Sequence, residues 1–397
     1  MINLKDIRDA CERISPYIHR TPLIRSDSIS KLAGAEVYLK AENLQKTGSF
    51  KVRGAINKMV RLKKDRVIAA SMGNHAQGVA YAAKVLGKKV RIIMPVTSPI
   101  IKQEATKGYG AEVVLYGNSF GEALDYALSD KGYEFIHAFD DEDVIAGQGS
   151  IGLEIMDELK DIDTILVPVG GGGLISGIAV AVKCVSPQTE VIGLQTEAAS
   201  SGYRSFKKGV IEEASPGPTI ADGIAVGRIG NKTFEVIRRY VDDIFLVKED
   251  SIAMAILLFM ERKKLVVEGA GAVGLALLLE NKDRFRGKKV IIVVSGGNID
   301  FTLIDRIIHR GLVKNGRISV FEVMIDDVPG SLNGLTGIIA FHGGNILHVF
   351  HDRLGTDIPI GKTRVIFTIE TRGREHLKEI LSDIESRGLE YKVQECK

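Results

Sequence analysis

Short runs of β-branched residues alternate with helical stretches from Ala35 to about Gly316, and this alternation limits the fold more than any other feature of the chain. It is typical of a mostly parallel sheet covered by helices and favours the α/β class. The chain has nine such runs, which is more strands than one small nucleotide-binding unit contains. We therefore expect two lobes with a ligand cleft between them. The predicted strands are Glu36–Lys40, Arg66–Ala70, Lys89–Met94, Glu112–Tyr116, Phe135–Ala138, Thr164–Val169, Val191–Thr196, Ile244–Val247 and Val290–Val294.

The pattern changes near Lys314–Gly316. The residues that follow predict the order strand, helix, strand, strand, helix, strand, which is the ferredoxin-like split α+β unit. We therefore expect a first domain over residues 1–315, with a small lobe over about 46–146, and a separate domain over 316–397. The predicted elements of the second domain are Ile318–Ile325, Pro329–Phe341, Asn345–Phe350, Thr363–Thr371, Arg374–Arg387 and Leu389–Val393.

The charge balance gives no sign of a nucleic-acid partner. The 397 residues contain 53 Lys and Arg against 50 Asp and Glu, a formal charge of +3 spread over both signs. No apolar run reaches the about 18 residues that a membrane span needs, so we expect no membrane partner. Cys11, Cys184 and Cys396 lie far apart without CxxC spacing. They predict neither a disulfide framework nor a metal site, and they favour a cytoplasmic protein.

A lysine begins a predicted helix in the segment Lys46–Ala55. Ser49 is a residue type that caps helices, which would place Lys51 in the first turn between the apolar Phe50 and Val52. Partial burial and the positive helix end both disfavour the ammonium form, and a neutral amine is what Schiff-base chemistry requires. A solvated surface lysine is the alternative, and this segment alone does not decide between the two.

A second segment, Ser71–Gly78, lies at another junction from strand to helix. The backbone N–H groups of such a turn favour an anion such as a carboxylate, and the Asn74 amide is able to bond a ring hydroxyl. The structural alternative makes Ser71 a helix cap and His75 a surface residue of the first turn.

Four consecutive glycines, Gly170, Gly171, Gly172 and Gly173, stand before Leu174 where a strand meets a helix. Because they carry no Cβ, several N–H groups are able to close around a phosphate at the positive end of the helix. The run therefore predicts a phosphate site rather than a purely structural turn.

A nicotinamide cofactor is the rival interpretation of this glycine run. Glu197 lies 26 positions after Gly171, at the end of the next predicted strand. However, Ile175 and Ser176 occupy the third-glycine positions of the two available G-x-G-x-x-G registers, so the dinucleotide fingerprint fails.

The fourth segment, Ser295–Asn298, follows the apolar strand Val290–Val294. A serine hydroxyl at the carboxyl end of a strand lies where α/β proteins bind ligands, although serine is also an ordinary turn residue. By itself this segment decides nothing.

Taken together, the four segments resemble the threonine dehydratases, a family of fold type II pyridoxal-phosphate enzymes. The resemblance covers nearly all of residues 1–315 and keeps the segments in the family's order. It implies the two-lobed fold of tryptophan synthase β-like enzymes, with pyridoxal 5'-phosphate as cofactor. It implies cofactor contacts from Phe50, Lys51, Asn74, Gly170, Gly171, Gly172, Gly173, Leu174 and Ser295. It implies substrate contacts from Ser71, Gly73, Asn74 and His75.

In that resemblance Lys51 holds the cofactor as a Schiff base, Asn74 contacts its 3-hydroxyl and Ser295 its pyridine nitrogen. The implied reaction is deamination of L-threonine to 2-oxobutanoate and ammonia, with L-serine as a second substrate. Isoleucine biosynthesis and threonine catabolism both stay open as its metabolic setting.

Three alternatives stay open beside this reaction: serine racemase, a β-replacing enzyme like cysteine synthase, and a non-catalytic amino-acid sensor. Serine racemases carry an acid/base serine just after the position of Ser71, where this chain has Met72. A thioether cannot transfer that proton, which weighs against racemisation. Retention of Lys51 with the glycine run weighs against a silent sensor.

The last 80 or so residues resemble an ACT domain, a regulatory module for small molecules, in Asp327–Leu332 and Gly343–Asn345. The resemblance implies an effector carboxylate at the helix amides of Gly330, Ser331 and Leu332, with Asn345 as side-chain partner. A purely structural, dimerising domain is the alternative. Because such domains pair edge strands, we expect a homodimer or homotetramer.

Overall fold

The computed structural model describes residues 1–394, so Cys396 lies outside the described part. The chain forms two compact units, Met1–Ile299 and Asp300–Lys397. The sequence predicts a boundary after residue 315, whereas the helix Phe301–Lys314 belongs to the second unit. Within residues 1–394 no helix is long and apolar enough to cross a lipid bilayer.

The strands of the first unit follow the predicted α/β alternation. They are β1 (Leu23–Arg25), β2 (Glu36–Ala41), β3 (Arg66–Ala70), β4 (Lys89–Met94), β5 (Glu112–Leu115), β6 (Glu134–Phe135), β7 (Thr164–Pro168), β8 (Glu190–Thr196), β9 (Asp243–Val247) and β10 (Lys289–Val294).

These strands form two sheets. The larger has the order β1-β2-β10-β7-β8-β9, and its neighbours are parallel except for β1, which runs antiparallel to β2. The smaller is parallel throughout, in the order β5-β4-β3-β6. All five residues of β7 are buried, as expected for a central parallel strand covered on both faces. Two lobes are therefore present.

The predicted strand Phe135–Ala138 is shorter in the structure, since β6 ends at Phe135. His137 is the cause, because its Nδ1 accepts the N–H groups of Phe139 at 3.2 Å and Asp140 at 2.8 Å. These two bonds turn the chain out of the sheet just before the residues that enter the cleft.

The helices of the first unit cover both sheets. They are α1 (Leu4–Ile14), α2 (Asp27–Ala33), α3 (Lys51–Val60), α4 (Asn74–Val85), α5 (Ile100–Lys107), α6 (Phe120–Ser129), α7 (Glu142–Glu158), α8 (Gly173–Val185), α9 (Ser201–Lys208), α10 (Asn231–Tyr240), α11 (Glu249–Leu258), α12 (Gly269–Glu280) and α13 (Lys282–Phe285).

Close glycine contacts join α3, α7 and α8. A Cβ on Gly147 of α7 would lie 2.7 Å from the carbonyl oxygen of Arg53 in α3. On the other side of α7, a Cβ on Gly177 of α8 would collide with the backbone of Gly149. Because side chains are missing at these crossings, the helix that begins with Lys51 and the helix that follows the glycine run both pack directly on α7.

A buried ion network fixes the orientation of α3. The fully buried Arg53 guanidinium pairs with Glu42 at 2.8 Å and with Glu154 of α7 at 2.6 Å. Lys40 is also fully buried and pairs with Glu154 at 2.7 Å. Buried charges of this kind persist only when they are paired, so the network ties the start of α3 to β2 and α7.

The second unit has the predicted ferredoxin-like order. Its sheet is antiparallel, in the order β12-β13-β11-β14, with α15 and α16 supplying the apolar side chains that cover it. The elements are α14 (Phe301–Lys314), β11 (Ile318–Asp326), α15 (Ser331–Phe341), β12 (Asn345–Asp352), β13 (Lys362–Glu370), α16 (Arg374–Ser386) and β14 (Tyr391–Val393).

Candidate active site

Lys51 is the first residue of α3, and we call the region around its side chain, Asn74 and the glycine run the cleft of the first unit. The Nζ donates a hydrogen bond to the carbonyl oxygen of Ala138 at 3.1 Å and lies 5.1 Å from the centre of the Phe50 ring. Gly78 of α4 lets that helix approach closely, because a Cβ there would lie 3.1 Å from the Lys51 carbonyl carbon. The Lys51 amine is thus held by the Ala138 carbonyl, and the Lys51 backbone lies directly against Gly78.

The environment of Lys51 favours its neutral amine. Burial lowers the pKa of Lys51 to about 8, and the Glu268 carboxyl opposes that shift. An amine with this pKa is neutral in about a quarter of molecules near pH 7.5, against about one in a thousand for an ordinary lysine. Lys51 is therefore not a solvated surface lysine, and a much larger fraction of it than of an ordinary lysine carries the neutral amine that Schiff-base chemistry requires.

The expected cap at Ser49 is wrong. Phe50 is the N-cap residue of α3, with helical φ −61° and ψ −20°, and no side chain in residues 1–394 caps it. Ser49 instead pairs with Gly296 in an isolated antiparallel bridge, and its buried Oγ finds no hydrogen-bond partner within the described chain. The backbone bridge holds Ser49 in place of a capping bond.

That bridge joins the first and fourth predicted segments. The N–H of Phe50 donates to the carbonyl oxygen of Ser295 at 3.1 Å, and the N–H of Gly297 donates to that of Gly48 at 2.9 Å. Ser295 is 2% exposed and directly follows the carboxyl end of β10. The backbones of Lys51 and Ser295 are consequently positioned by the same short pairing.

The glycine run lies where β7 ends and α8 begins. Gly172 is the N-cap of α8 with φ +95°, a conformation that favours glycine, and Leu174 is 5% exposed. A Cβ on Gly172 would lie 2.9 Å from the Thr233 side chain, and one on Gly170 would lie 3.3 Å from the Ile224 backbone. The first N–H groups of a helix have no partner inside it, so this run offers an anion site at the positive end of α8.

Ala138 and Phe139 connect Lys51 to the glycine run. Ala138 accepts the bond from Lys51, and the next side chain, Phe139, packs so closely on Gly171 that a Cβ there would collide with its ring. A Cβ on Gly173 would also lie 2.9 Å from the Phe139 Cβ. Ala138 and Phe139 are thus neighbours in the chain that contact the Lys51 amine on one side and the glycine run on the other.

Asn74 begins α4, and its amide is held from two sides. Its Nδ2 donates to both carboxylate oxygens of Glu268 at 2.9 Å. Its Oδ1 accepts from Asn298 Nδ2 at 2.8 Å, and Asn298 Nδ2 also donates to the carbonyl oxygen of Thr47 at 2.8 Å. This chain of bonds joins the second and fourth predicted segments.

Glu268 is a site residue that the sequence interpretation missed. It is 4% exposed, and burial raises its pKa to about 7 although the bond from Asn74 opposes the shift. A signal for it exists in the sequence: Glu268 is the lone charge between Leu265 and Leu279. A buried carboxylate is costly without partners, so a lone charge inside an apolar run indicates a specific contact.

The turn before α4 partly matches the expected substrate site. Ser71 Oγ accepts the N–H of Gly73 at 3.2 Å, whereas Gly73 and not Ser71 is the N-cap of α4. A Cβ on Gly73 would meet nothing within 4 Å in the described chain, so this turn faces open space.

His75 is not the surface residue of the structural alternative. It is 5% exposed, and burial lowers its pKa to about 3. Its Nε2 donates to the carbonyl oxygen of Ile136 at 2.9 Å, because a carbonyl oxygen only accepts. The imidazole points into the protein, so the backbone N–H of His75 is the group left to face a ligand.

The expected effector residues do not meet within one chain. Gly330 is the N-cap of α15 with φ +97°, and Ser331 and Leu332 begin that helix. Asn345 begins β12, beyond the other end of this 11-residue helix, which is about 16 Å long. Its Nδ2 donates to Glu370 Oε2 at 3.3 Å.

Comparison with known proteins assigns the first unit to a family. The family model "Pyridoxal-phosphate dependent enzyme" matches residues 14–296. The L-threonine ammonia-lyase of Thermotoga maritima is 48% identical over 400 residues, covering 99% of this chain and 100% of that protein. The threonine deaminase isoform 2 of Solanum lycopersicum has a TM-score of 0.74 at 37% identity, over 77% of this chain and 92% of that one. The serine racemase of Dictyostelium discoideum has a TM-score of 0.71 at 40% identity, over 76% of this chain and 99% of that one.

The residues of the cleft fit the cofactor that this family name specifies. The glycine run leaves no room for side chains and presents helix N–H groups suited to a phosphate. Lys51 supplies an amine whose pKa is lowered to about 8, and Ser295 lies at the end of the adjoining central strand. We conclude that the chain belongs to the pyridoxal-phosphate dependent enzymes, with the fold type II α/β architecture.

Proposed function

We propose that the chain deaminates L-threonine to 2-oxobutanoate and ammonia, and L-serine to pyruvate and ammonia. The Thermotoga maritima relative, an L-threonine ammonia-lyase aligned over 99% of this chain, supports this activity. The observation that carries the proposal is the placement of the Lys51 amine, through Ala138 and Phe139, beside the glycine run.

Three groups of residues would hold the cofactor. The N–H groups of Gly170, Gly171, Gly172, Gly173 and Leu174 would bind its phosphate. Lys51 would bind its aldehyde carbon, with Phe50 beside it. Asn74 would contact its ring hydroxyl and Ser295 its ring nitrogen.

The turn from Ser71 to His75 would hold the substrate. The Ser71 hydroxyl, together with the N–H groups of Gly73, Asn74 and His75, suits a carboxylate at the start of α4. This turn faces open space at Gly73, which is where a small amino acid would enter.

Bound pyridoxal phosphate supplies an electron sink for the charge that develops at the substrate Cα. The neutral Nζ of Lys51 would act as the base that takes the substrate Cα proton. The β-hydroxyl leaves with a proton as water. The released enamine takes up water and gives the 2-oxo acid and ammonia, so that atoms balance.

Ser295 would favour elimination, because it would give the cofactor's ring nitrogen a neutral partner. A neutral hydroxyl does not force a proton onto the ring nitrogen, whereas a carboxylate would. With a neutral partner there, negative charge at the substrate Cα would be stabilised less, which would favour rapid loss of the β-hydroxyl.

Racemisation is the second candidate, because two serine racemase structures resemble the chain at 40% and 34% identity. Met72 stands directly after Ser71 and brings no transferable proton to the second face of the substrate. We therefore place racemisation below elimination.

Product analysis tests the proposal. The wild-type protein loaded with pyridoxal phosphate should form 2-oxobutanoate from L-threonine, and Lys51→Ala should form none. Incubation of L-serine, with and without sulfide, should give pyruvate and little D-serine or cysteine. Absence of 2-oxo acid would overturn the dehydratase assignment, and dominant D-serine or cysteine would select an alternative.

We further propose that catalysis resides in residues 1–315, with a small lobe over about 46–146, and that residues 316–397 form an ACT-like regulatory domain. The ferredoxin-like topology and the open turn at Gly330 support this assignment. Since Gly330–Leu332 and Asn345 lie at opposite ends of α15, an effector site made from both requires a second copy, as in a homodimer or homotetramer. Activity and sedimentation should therefore change together on addition of isoleucine or valine.

We place the protein in the cytoplasm. Cys11, Cys184 and Cys396 lie far apart without CxxC spacing, which favours a reducing compartment. Fractionation of cells that express the chain tests this location.

A further inference from the structure

A buried carboxylate without a role in the proposed chemistry contacts Asn74. Glu268 is the N-cap of α12, and its backbone N–H donates to the Gly296 carbonyl oxygen at 3.1 Å. Its side chain does not cap α12 but turns to Asn74 of α4. Stabilisation of α12 alone therefore does not explain this glutamate.

Two glycines make room for the Glu268 carboxylate. A Cβ on Gly296 would lie 2.5 Å from Oε1, and one on Gly223 would lie 3.3 Å from the same atom. Gly296 follows Ser295, so the carboxylate is next to the residue expected to face the ring nitrogen. The chain thus accommodates the buried charge with two glycines that lie far apart in the sequence.

The contacts fix the direction of the Asn74 amide. Asn298 Nδ2 donates to Asn74 Oδ1 at 2.8 Å, and both carboxylate oxygens of Glu268 accept from Asn74 Nδ2 at 2.9 Å. A flipped amide would place nitrogen against Asn298 and oxygen against a carboxylate. The Nδ2 group is therefore confined to one direction, and the ionised Glu268 contributes most to that confinement because charge-assisted bonds are the stronger ones.

We propose that Glu268 is a positioning residue for the cofactor: its ionised carboxylate holds the Asn74 amide in the orientation that binds the ring hydroxyl. This inference rests on the proposed function, because Asn74 faces the cofactor there. It adds a second titratable group to the cleft, one that acts through Asn74 and not on the substrate.

The charge state of Glu268 changes within the range of ordinary assays. Burial raises its pKa to about 7, with the Asp222 carboxylate adding to the shift, whereas the Asn74 bond and the cations Lys102 and Lys51 lower the pKa. Above this pKa the carboxylate accepts fully from Asn74. As the pH falls below it the carboxyl becomes neutral and the advantage of the charge is lost.

The test compares Glu268→Gln with the wild type in pyridoxal phosphate affinity, titrated into apoprotein and followed by absorbance and by retained cofactor after ultrafiltration. Glutamine keeps the shape and one acceptor but never ionises. We expect the ratio of variant to wild-type Kd to be about tenfold near pH 8.5 and about twofold or less near pH 5.5. Titration of the cofactor phosphate affects both proteins and cancels in the ratio.

Two further variants complete the design. Glu280→Gln changes an exposed carboxylate at the opposite end of α12 and should leave the Kd unchanged at every pH. In an Asn74→Ala background, Glu268→Gln should add less than about twofold, since the two residues act as a unit.

Two results would overturn the inference alone: a Kd ratio that does not vary with pH, or an equal effect of Glu268→Gln with and without Asn74. A wild-type protein that binds no pyridoxal phosphate would overturn the proposed function as well, so the two failures are distinguishable.

Discussion

Lys51 Nζ lies 3.1 Å from the carbonyl oxygen of Ala138, the residue directly before the phenylalanine that packs on the glycine run. The amine and the anion site come from helices α3 and α8, which do not follow one another in the chain. The segment Ala138–Phe139, which follows β6, contacts both of them. The Ala138 carbonyl oxygen accepts a hydrogen bond from the amine and so fixes the direction of one of its N–H groups. We therefore expect substitutions at Lys51 or in the glycine run to affect cofactor binding.

Gly171→Ala should weaken both cofactor binding and the fold, because its methyl group would collide with the Phe139 ring. We expect a loss of about 1–3 kcal/mol in the free energy of unfolding and at least about tenfold in pyridoxal phosphate affinity. Urea unfolding and equilibrium titration measure the two effects. Gly334→Ala in α15, where a Cβ meets nothing within 4 Å among described residues, should be neutral or slightly stabilising.

Arg53→Ala should destabilise the first unit strongly, because it removes the ion-pair partner of the buried Glu42 and leaves Glu154 paired with Lys40 alone. Loss of one partner from such a network costs about 3–5 kcal/mol. The matched control is Arg286→Ala, whose side chain is 75% exposed and pairs with its near neighbour Asp283. That change should stay within about 0.5 kcal/mol in the same urea experiment. Equal effects of the two variants would contradict the role given to the buried network.

Removal of the Lys51 amine should stabilise the cofactor-free protein at neutral pH. The folded-state pKa of Lys51 is lowered to about 8, so the unfolded chain binds more protons between pH 8 and its ordinary pKa. Wild-type stability therefore rises relative to Lys51→Met as the pH increases through this window. Thermal unfolding of both apoproteins from pH 7 to pH 10 measures the difference. If the extra stability of Lys51→Met over the wild type does not decrease as the pH rises, the lowered pKa of Lys51 is contradicted.

Ser295→Ala should lower pyridoxal phosphate affinity by about tenfold while preserving the fold, since the loss of one hydrogen bond costs about 1 kcal/mol or more. The backbone oxygen of Ser295 still accepts from Phe50, so the pairing that holds Lys51 survives. Affinity and the ratio of 2-oxo acid to other products should both change. Unchanged affinity would remove Ser295 from the cofactor contacts.

The sheets and the junctions from strand to helix were predictable because they depend on local apolar runs. Lys51 in a first turn and the glycine run before α8 follow from such runs. Ser49 shows the limit, because a pairing with Gly296, far along the chain, replaced the expected cap. Capping preferences describe an isolated helix, and here tertiary pairing outweighs them.

Long-range polar contacts explain the remaining omissions. The Asn74–Glu268 bond spans 194 positions, and nothing local in either segment specifies its partner. A predicted strand ends early because the His137 side chain accepts hydrogen bonds from two backbone N–H groups. Strand propensities do not take such side-chain bonds into account. The effector residues were grouped by resemblance, whereas α15 separates them along one chain.

Borohydride reduction of the pyridoxal phosphate-loaded protein, followed by peptide mass mapping, tests the central assignment most directly. The account predicts that the reduced cofactor is attached to Lys51, and that Gly171→Ala lowers the labelled fraction. Labelling of Lys46 or Lys58 in place of Lys51, or no labelling of any lysine, would contradict it.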